Sequence, residues 1–314
     1  MAITGLLILG LALLYFGAEW LVRGSSKLAL RFKVPSLVIG LTIVAFGTST
    51  PELVVSLKAG LDGLGDISVG NVVGSNIFNI AVILGLSALV RPLRVHLKVL
   101  RIDTSIMIGV SVLLCVLLQD NFIDRSEGLV LFVGITLYTL FTIYIGKKYG
   151  QMYGSAASEA LQVRVVGSVT SDILTIILGL ACLVIGSRCF VEGAVALASA
   201  LGVSQAVIGL TIVAAGTSFP ELATSIVAAG RKEEDIAIGN IIGSNIFNIL
   251  AILGLSAMIA PLRSDGIGRM DLAFMMTTAV LLFPFMWTKY ELNRIEATVF
   301  LLIYAVYVYL LWPK

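Results

Sequence analysis

Residues 39–93 read IGLTIVAFGTSTPELVVSLKAGLDGLGDISVGNVVGSNIFNIAVILGLSALVRPL, and residues 208–262 read IGLTIVAAGTSFPELATSIVAAGRKEEDIAIGNIIGSNIFNILAILGLSAMIAPL. A constant offset of 169 aligns the two without a gap, and 34 of the 55 positions are identical. Each copy sets a Pro-Glu pair and a run of Ser, Thr and Asn inside otherwise lipid-soluble sequence. Paired, helix-breaking polar segments at matching places in two hydrophobic halves point to the central site of a transporter.

The rest of the chain agrees with a membrane setting. It is 58% hydrophobic and 13% charged, against about 25% charged in soluble domains, and its mean hydropathy is +1.03. A net charge of +2 without a basic patch excludes a nucleic-acid partner. Cys115, Cys182 and Cys189 are odd in number and lack CxxC spacing, so they read as buried free thiols. The N-terminus has neither a basic n-region nor an A-x-A cleavage site, which makes 3–22 a retained helix and not a signal peptide.

A span needs about 20 mostly apolar residues. Ten are expected, at 3–22, 36–60, 68–90, 103–119, 127–146, 171–191, 205–229, 237–260, 270–287 and 296–312. The fold class is therefore an all-α polytopic membrane protein with a first five-helix repeat at 1–146, a polar linker at 147–170 and a second five-helix repeat at 171–314. With the N-terminus outside, the inner loops would carry 15 of the 21 Lys and Arg residues, which places both termini outside. Five spans separate equivalent points of the repeats, and five is odd. The copies enter the bilayer from opposite sides, forming a 5+5 inverted-topology repeat with one site on the pseudo-two-fold axis.

Glu52 and Glu221 fall mid-span. A carboxylate at the bilayer centre costs roughly 2.5–3.5 kcal/mol on insertion scales, so it implies a function unless it is kept protonated and hydrogen-bonded between helices. Pro51 and Pro220 lack an N–H, which frees the carbonyls of Gly47 and Gly216. Such carbonyls need a cavity, a cation or another donor, and a Ser or Thr hydroxyl is the simplest donor. Thr48, Ser49 and Glu52 share a helix face at i, i+3 and i+4 spacing, as do Ser75 and Asn79. Thr217, Ser218, Glu221, Ser244 and Asn248 repeat the set. This all-oxygen group suits hard cations such as Ca²⁺ and offers neither sulfur nor imidazole to zinc, copper or iron. The single histidine, His96, lies among Arg94, Lys98 and Arg101 and reads as an interfacial bystander. Gly70/Gly74 and Gly239/Gly243 make GxxxG spacings that predict close helix packing. Glu19 and Arg23 are i, i+4 and read as a structural pair.

At GTSTPE (47–52) with GNVVGSNIFN (70–79), and GTSFPE (216–221) with GNIIGSNIFN (239–248), the chain resembles the cation/calcium exchanger superfamily, and most closely its prokaryotic sodium/calcium exchangers. The resemblance implies alternating access, ions held among the ten polar residues just named, and backbone carbonyl ligands near Ala45 and Ala214. Some relatives carry Asp where this chain has Asn248, and Asn at both 79 and 248 implies the potassium-independent type. The residue before each proline differs between repeats, Thr50 in one and Phe219 in the other.

The expected function is antiport of Na⁺ for Ca²⁺ at a shared two-glutamate site. No cofactor is expected, because the transported ions bind transiently. Lipid is the one further partner that the sequence indicates, and the membrane expected is a prokaryotic plasma membrane. H⁺-driven or K⁺-dependent exchange of a divalent cation is the alternative, followed by a cation channel. An enzyme is not expected, since the chain has no HExxH, no GxSxG and no second histidine.

Overall fold

The computed structural model describes residues 2–95, 99–160, 168–202 and 214–311. It is an all-helical polytopic membrane architecture. In chain order its helices are α1 (Ala2–Phe32), α2 (Ser36–Thr48), α3 (Thr50–Leu61), α4 (Gly65–Val90), α5 (Arg101–Asp120), α6 (Arg125–Ala160), α7 (Val169–Ala200), α8 (Phe219–Gly230), α9 (Glu234–Ile259), α10 (Arg269–Trp287) and α11 (Arg294–Leu311). Among the described residues eight helices are long and apolar enough to cross a bilayer, and α2 with α3 makes a ninth, broken span bent by 48°. The remaining expected span, 205–229, lies partly outside the described residues and continues into them as α8. His96, Lys98, Arg164 and Lys314 also lie outside.

Three boundaries differ from the sequence expectation, among them that of α7, which runs on to Ala200, past the expected residue 191. Helix α1 runs to Phe32, well past residue 22. At about 1.5 Å per residue it is roughly 46 Å long, more than the hydrocarbon thickness, so it must tilt or project. Helix α6 continues through Ala160, so the first part of the polar stretch 147–170 extends a helix instead of forming a loop. No proline interrupts 147–160, and its Lys, Gln, Met and Ala residues are good helix formers.

The break between α2 and α3 follows from Pro51, which sits in the first turn of α3 where a missing N–H is harmless. Ser49, at φ −82° and ψ 9°, carries the bend, and Ser218 takes nearly the same conformation, φ −89° and ψ 7°, ahead of α8. In α4 and α9 a π-helical turn begins at the equivalent asparagines, over Asn79–Leu84 and Asn248–Leu253. Such turns are characteristic of functional sites within α-helices.

Four two-residue strands add a feature that the periodicity did not announce. β1 (Leu93–Arg94) pairs antiparallel with β4 (Glu291–Leu292), and β2 (Phe122–Ile123) pairs with β3 (Leu262–Arg263). Under the offset of 169, β1 matches β3 and β2 matches β4. Each ribbon therefore joins one strand from each repeat, as a two-fold exchange requires.

Helices α4 and α9 occupy the centre, with Ile77, Ile80, Ile83, Ile246, Ile249 and Ile252 all fully buried. The close approach expected of Gly239/Gly243 is present: a Cβ on Gly243 would stand 2.7 Å from the Leu41 carbonyl oxygen and 2.8 Å from Ala45 Cβ. Under the offset of 169 the position equivalent to Leu41 is 210, which lies outside the described residues. At the periphery α1 packs against α7 along a seam of small residues. A Cβ on Gly17 would meet the Gly179 carbonyl oxygen at 2.8 Å, and one on Gly179 would meet that of Gly17 at the same distance. The three cysteines are free thiols, but each is half-buried and not buried as the sequence suggested, because their helices lie at the periphery of the bundle.

Candidate ion-binding site

The helix breaks bring the Pro-Glu segments of the two repeats face to face. Glu52 and Glu221 are buried, at 1% and 0% exposure. Each is held by the serine of the other repeat: Ser218 Oγ donates to Glu52 Oε1 at 2.9 Å, and Ser49 Oγ donates to Glu221 Oε1 at 2.8 Å. Ser75 Oγ lies 3.2 Å from Ser218 Oγ. The second oxygen of each carboxylate, Oε2, is buried without a hydrogen-bond partner.

The amides of α4 and α9 interlock just below. Asn79 Nδ2 donates to Asn245 Oδ1 at 2.9 Å, and Asn248 Nδ2 donates to Asn76 Oδ1 at 3.0 Å. Asn76 and Asn245 in turn donate to each other's backbone carbonyls, at 3.2 and 3.4 Å. With their nitrogens engaged, Asn79 and Asn248 are left with Oδ1 atoms that are buried and without a partner. The hydroxyl of Ser244 is likewise buried and without a partner.

A second amide pair props the glutamates from behind. Asn71 Nδ2 donates to the Glu52 carbonyl at 3.3 Å and to Ser56 Oγ at 2.9 Å. Asn240 Nδ2 repeats this with the Glu221 carbonyl at 3.4 Å and Ser225 Oγ at 3.0 Å. Their oxygens accept from the threonines across the axis, Thr48 Oγ1 to Asn240 at 3.0 Å and Thr217 Oγ1 to Asn71 at 3.4 Å.

Of the residues expected from sequence, Glu52, Glu221, Thr48, Ser49, Thr217, Ser218, Ser75, Asn79 and Asn248 fall in this linked set, with Ser244 buried in α9 beside it. The carbonyl of Ala45 is not spare: it accepts from Ser49 N at 3.0 Å and from Thr48 Oγ1 at 3.4 Å. Ala214 opens the helical turn Ala214–Gly216 at the equivalent place. Of the two carbonyls freed by proline, that of Gly216 accepts from Ser187 Oγ at 2.7 Å, the hydroxyl solution and not the cation. The residue equivalent to Ser187 in the first half is Ala18, which has no such donor.

Sequence reasoning passed over Asn71, Asn76, Asn240, Asn245, Ser56 and Ser225. All six are identical between the repeats, and that identity was the signal available. The Thr50/Phe219 difference also has a local account: Thr50 Oγ1 donates to the Phe46 carbonyl at 3.1 Å, whereas the Phe219 ring packs edge-on against Phe190 with centroids 5.2 Å apart.

An acceptor buried without a donor costs about 1–3 kcal/mol, more when charged. Four such oxygens in two symmetric pairs, two of them on carboxylates, make a site whose unmet requirement is positive charge. Neutral hydroxyls and amides outnumber the acids, a donor set that suits hard cations. Among the described residues no group of three or more His, Cys, Asp or Glu is placed to hold a metal ion.

Comparison with known proteins agrees with this chemistry. The family model described as sodium/calcium exchanger protein matches residues 2–148 and 171–312. The putative antiporter CaxA of Alkalimonas amylolytica is 38% identical over 99% of this chain and 99% of its own length. The inner membrane protein YrbG of Escherichia coli strain K12 is 38% identical over 91% of this chain and 89% of its own. The sodium/calcium exchanger MaX1 of Methanosarcina acetivorans is 34% identical over 98% and 97%. Among solved structures, the sodium-calcium exchanger NCX_Mj soaked with 2.5 mM Na⁺ and 0.1 mM Ca²⁺ matches with a TM-score of 0.85 at 31% identity, covering 100% of this chain and 99% of that one. This chain is an integral membrane transporter, not an enzyme, and belongs to the sodium/calcium exchanger family.

Proposed function

We propose that the protein exchanges Na⁺ for Ca²⁺ at one site shared by Glu52 and Glu221, using a 5+5 inverted repeat of ten spans. The observation that carries this reading is the symmetric set of partnerless buried oxygens, Glu52 Oε2, Glu221 Oε2, Asn79 Oδ1 and Asn248 Oδ1. Two carboxylates balance one Ca²⁺, and the surrounding hydroxyls and amides supply neutral ligands that Na⁺ also accepts. The same ligands cannot serve both ions at once, so each ion displaces the other and the two fluxes are coupled.

Alternating access has support in the unequal exposure of equivalent residues. Pro51, Gly70 and Asn71 are partly exposed, whereas their twins Pro220, Gly239 and Asn240 are buried. We read the more exposed side, at the end of α3 and the start of α4, as the face open to solution, and the buried side, at α8 and α9, as the closed one. On the orientation read from Lys and Arg placement, with both termini outside, the reachable face is the outer one.

Reconstituted protein tests the reading directly. An inward-directed or outward-directed Na⁺ gradient at clamped pH should drive ⁴⁵Ca²⁺ in the opposite direction, with saturation. Uptake driven by a pH gradient and indifferent to Na⁺ would establish the proton-coupled alternative. Flux that proceeds without any counter-ion would establish a channel.

A further inference from the structure

The offset of 169 also aligns α1 with α7 in register: Gly10, Gly17 and Gly24 fall on Gly179, Gly186 and Gly193. In that register Glu19 and Arg23 of α1 fall on Arg188 and Glu192 of α7. Arg231, which ends α8, falls on Asp62, which ends α3. All three charges are reversed between the halves.

Only one of these triads is assembled in the structure. Nε and Nη2 of Arg231 both donate to the Glu19 carboxylate, and Arg23 Nε stands 2.7 Å from it. Glu19 is buried to 7% exposure by this arrangement. The contact ties α1 to the end of α8, and α1 packs along α8 there. Helix α7 has no comparable packing along α3. Arg188, Glu192 and Asp62 are exposed, and none has an ion-pair partner among the described residues.

Helix electrostatics sharpens the contrast. A cation at the C-terminus of α8 is favoured by the helix dipole, whereas an acid at the C-terminus of α3 opposes it. Asp62 is thus placed where the helix dipole disfavours it; Lys58, one turn earlier, is the cation on its own helix, and no ion pair to Asp62 is formed among the described residues. The conformation that would compensate it is the one related by exchange of the two repeats, in which α7 closes on α3 as α1 now closes on α8. That exchange brings Arg188 to Asp62 as Glu19 now meets Arg231, and Glu192 to Arg188 as Arg23 now meets Glu19.

We propose that Glu19–Arg231 is an ion-pair lock that holds one face of the exchanger closed, and that Asp62–Arg188 is its charge-reversed twin, formed when the opposite face closes. The inference rests on the alternating-access reading above. Each lock is made only as the other breaks, so the pair sets the balance between the two states without touching the ion site.

The test uses full-length protein in proteoliposomes, in a background with Cys115→Ala, Cys182→Ala and Cys189→Ala. Asp62→Arg and Arg188→Asp should each slow Na⁺-driven Ca²⁺ exchange by about two- to fivefold, the scale of a partly exposed ion pair, and the combined charge swap should restore it. The cysteine pair Asp62→Cys with Arg188→Cys should form a disulfide under oxidising conditions with Na⁺ and Ca²⁺ present, stop exchange, and regain it on reduction. A charge swap no faster than the single variants, or a cysteine pair that fails to crosslink while the parent protein exchanges normally, overturns the proposal. If the parent carries no Na⁺-driven flux, the exchange reading is what fails, and crosslinking still reports whether the faces alternate.

Discussion

Glu52 and Glu221 each place one carboxylate oxygen on a serine of the opposite repeat and leave the other without a partner. Glu52→Gln and Glu221→Gln keep an oxygen to accept from that serine, so insertion and folding should survive while charge is lost. Removing one partner of a buried charge interaction costs roughly 2–5 kcal/mol, which predicts loss of nearly all Ca²⁺ and Na⁺ flux. Retention of near-normal exchange by either variant would contradict the shared site. Asn248→Asp probes the amide lattice. It replaces the donor that now reaches Asn76 Oδ1 at 3.0 Å with an acceptor, so a proton or an additional monovalent cation must restore the balance. Its flux should become sensitive to pH or to K⁺, and a profile indistinguishable from the parent's would remove Asn248 from the ligand set. Repetition and helical spacing pointed to Glu52, Glu221, Thr48, Thr217, Ser49, Ser218, Ser75, Asn79 and Asn248 as candidates, and the structure brings these together, whereas Ser56 and Ser225 were passed over. Asn71, Asn76, Asn240 and Asn245 were not legible either, because spacing along one helix does not say which amide meets a second helix. That depends on how α4 crosses α9, which is a property of packing.

At the level of elements, the spans and their breaks follow from apolar runs and proline positions, but their true lengths do not. The extension of α1 to Phe32 crosses Arg23, Lys27 and Arg31, and apolar windows end at such charges. In the structure two of these charges are paired and Lys27 is exposed: Arg31 Nε reaches the buried Asp172 of α7 at 2.8 Å, and Arg23 reaches Glu19. The α1–α7 seam gives a sharp prediction. Gly179→Val would drive methyl groups into the Gly17 carbonyl and the Leu21 backbone, where even a Cβ stands at 2.8 Å. Overpacking of this kind costs typically 1–3 kcal/mol, so melting temperature and flux should both fall, whereas Gly5→Ala, with nothing within 4 Å, should leave both unchanged. Equivalent helix starts provide a second test. Asp124 and Glu127 cap α6 reciprocally, as Asn293 and Glu296 cap α11. Hydrogen bonds from the Ser126 hydroxyl and the Glu127 backbone N–H hold the Asp124 carboxyl below its ordinary range. A depressed carboxylate stabilises the fold above its unfolded-state value and loses that contribution as pH falls through its folded-state value. Hydrogen exchange at 125–128 should therefore quicken in acid relative to 294–297, where the capping Asn293 does not titrate. Equal acid responses at the two helix starts would contradict the assignment.

Across the whole molecule, the exchanged strand ribbons, the twin helix breaks and the mirrored amide pairs all express one pseudo-two-fold relation. On the alternating-access reading proposed above, the two end states are built from equivalent contacts, so the ion gradients and the membrane potential decide the direction of transport. The charge at the site fixes how strongly the potential acts. Glu52 and Glu221, both ionised, supply about two negative charges and balance one Ca²⁺. Return with three Na⁺, the ratio that the family resemblance suggests, carries one net positive charge per cycle. Moving that charge across the bilayer is worth about 2.3 kcal/mol per 100 mV, enough to shift the flux ratio by more than tenfold. At fixed Na⁺ and Ca²⁺ gradients, Ca²⁺ movement toward the Na⁺-loaded side should accelerate when that side is made electrically positive with K⁺ and valinomycin, and slow when it is made negative. Exchange by two Na⁺ for one Ca²⁺ would leave the rate unchanged under potentials of either sign, and that result would show that the third Na⁺ does not travel with the other two.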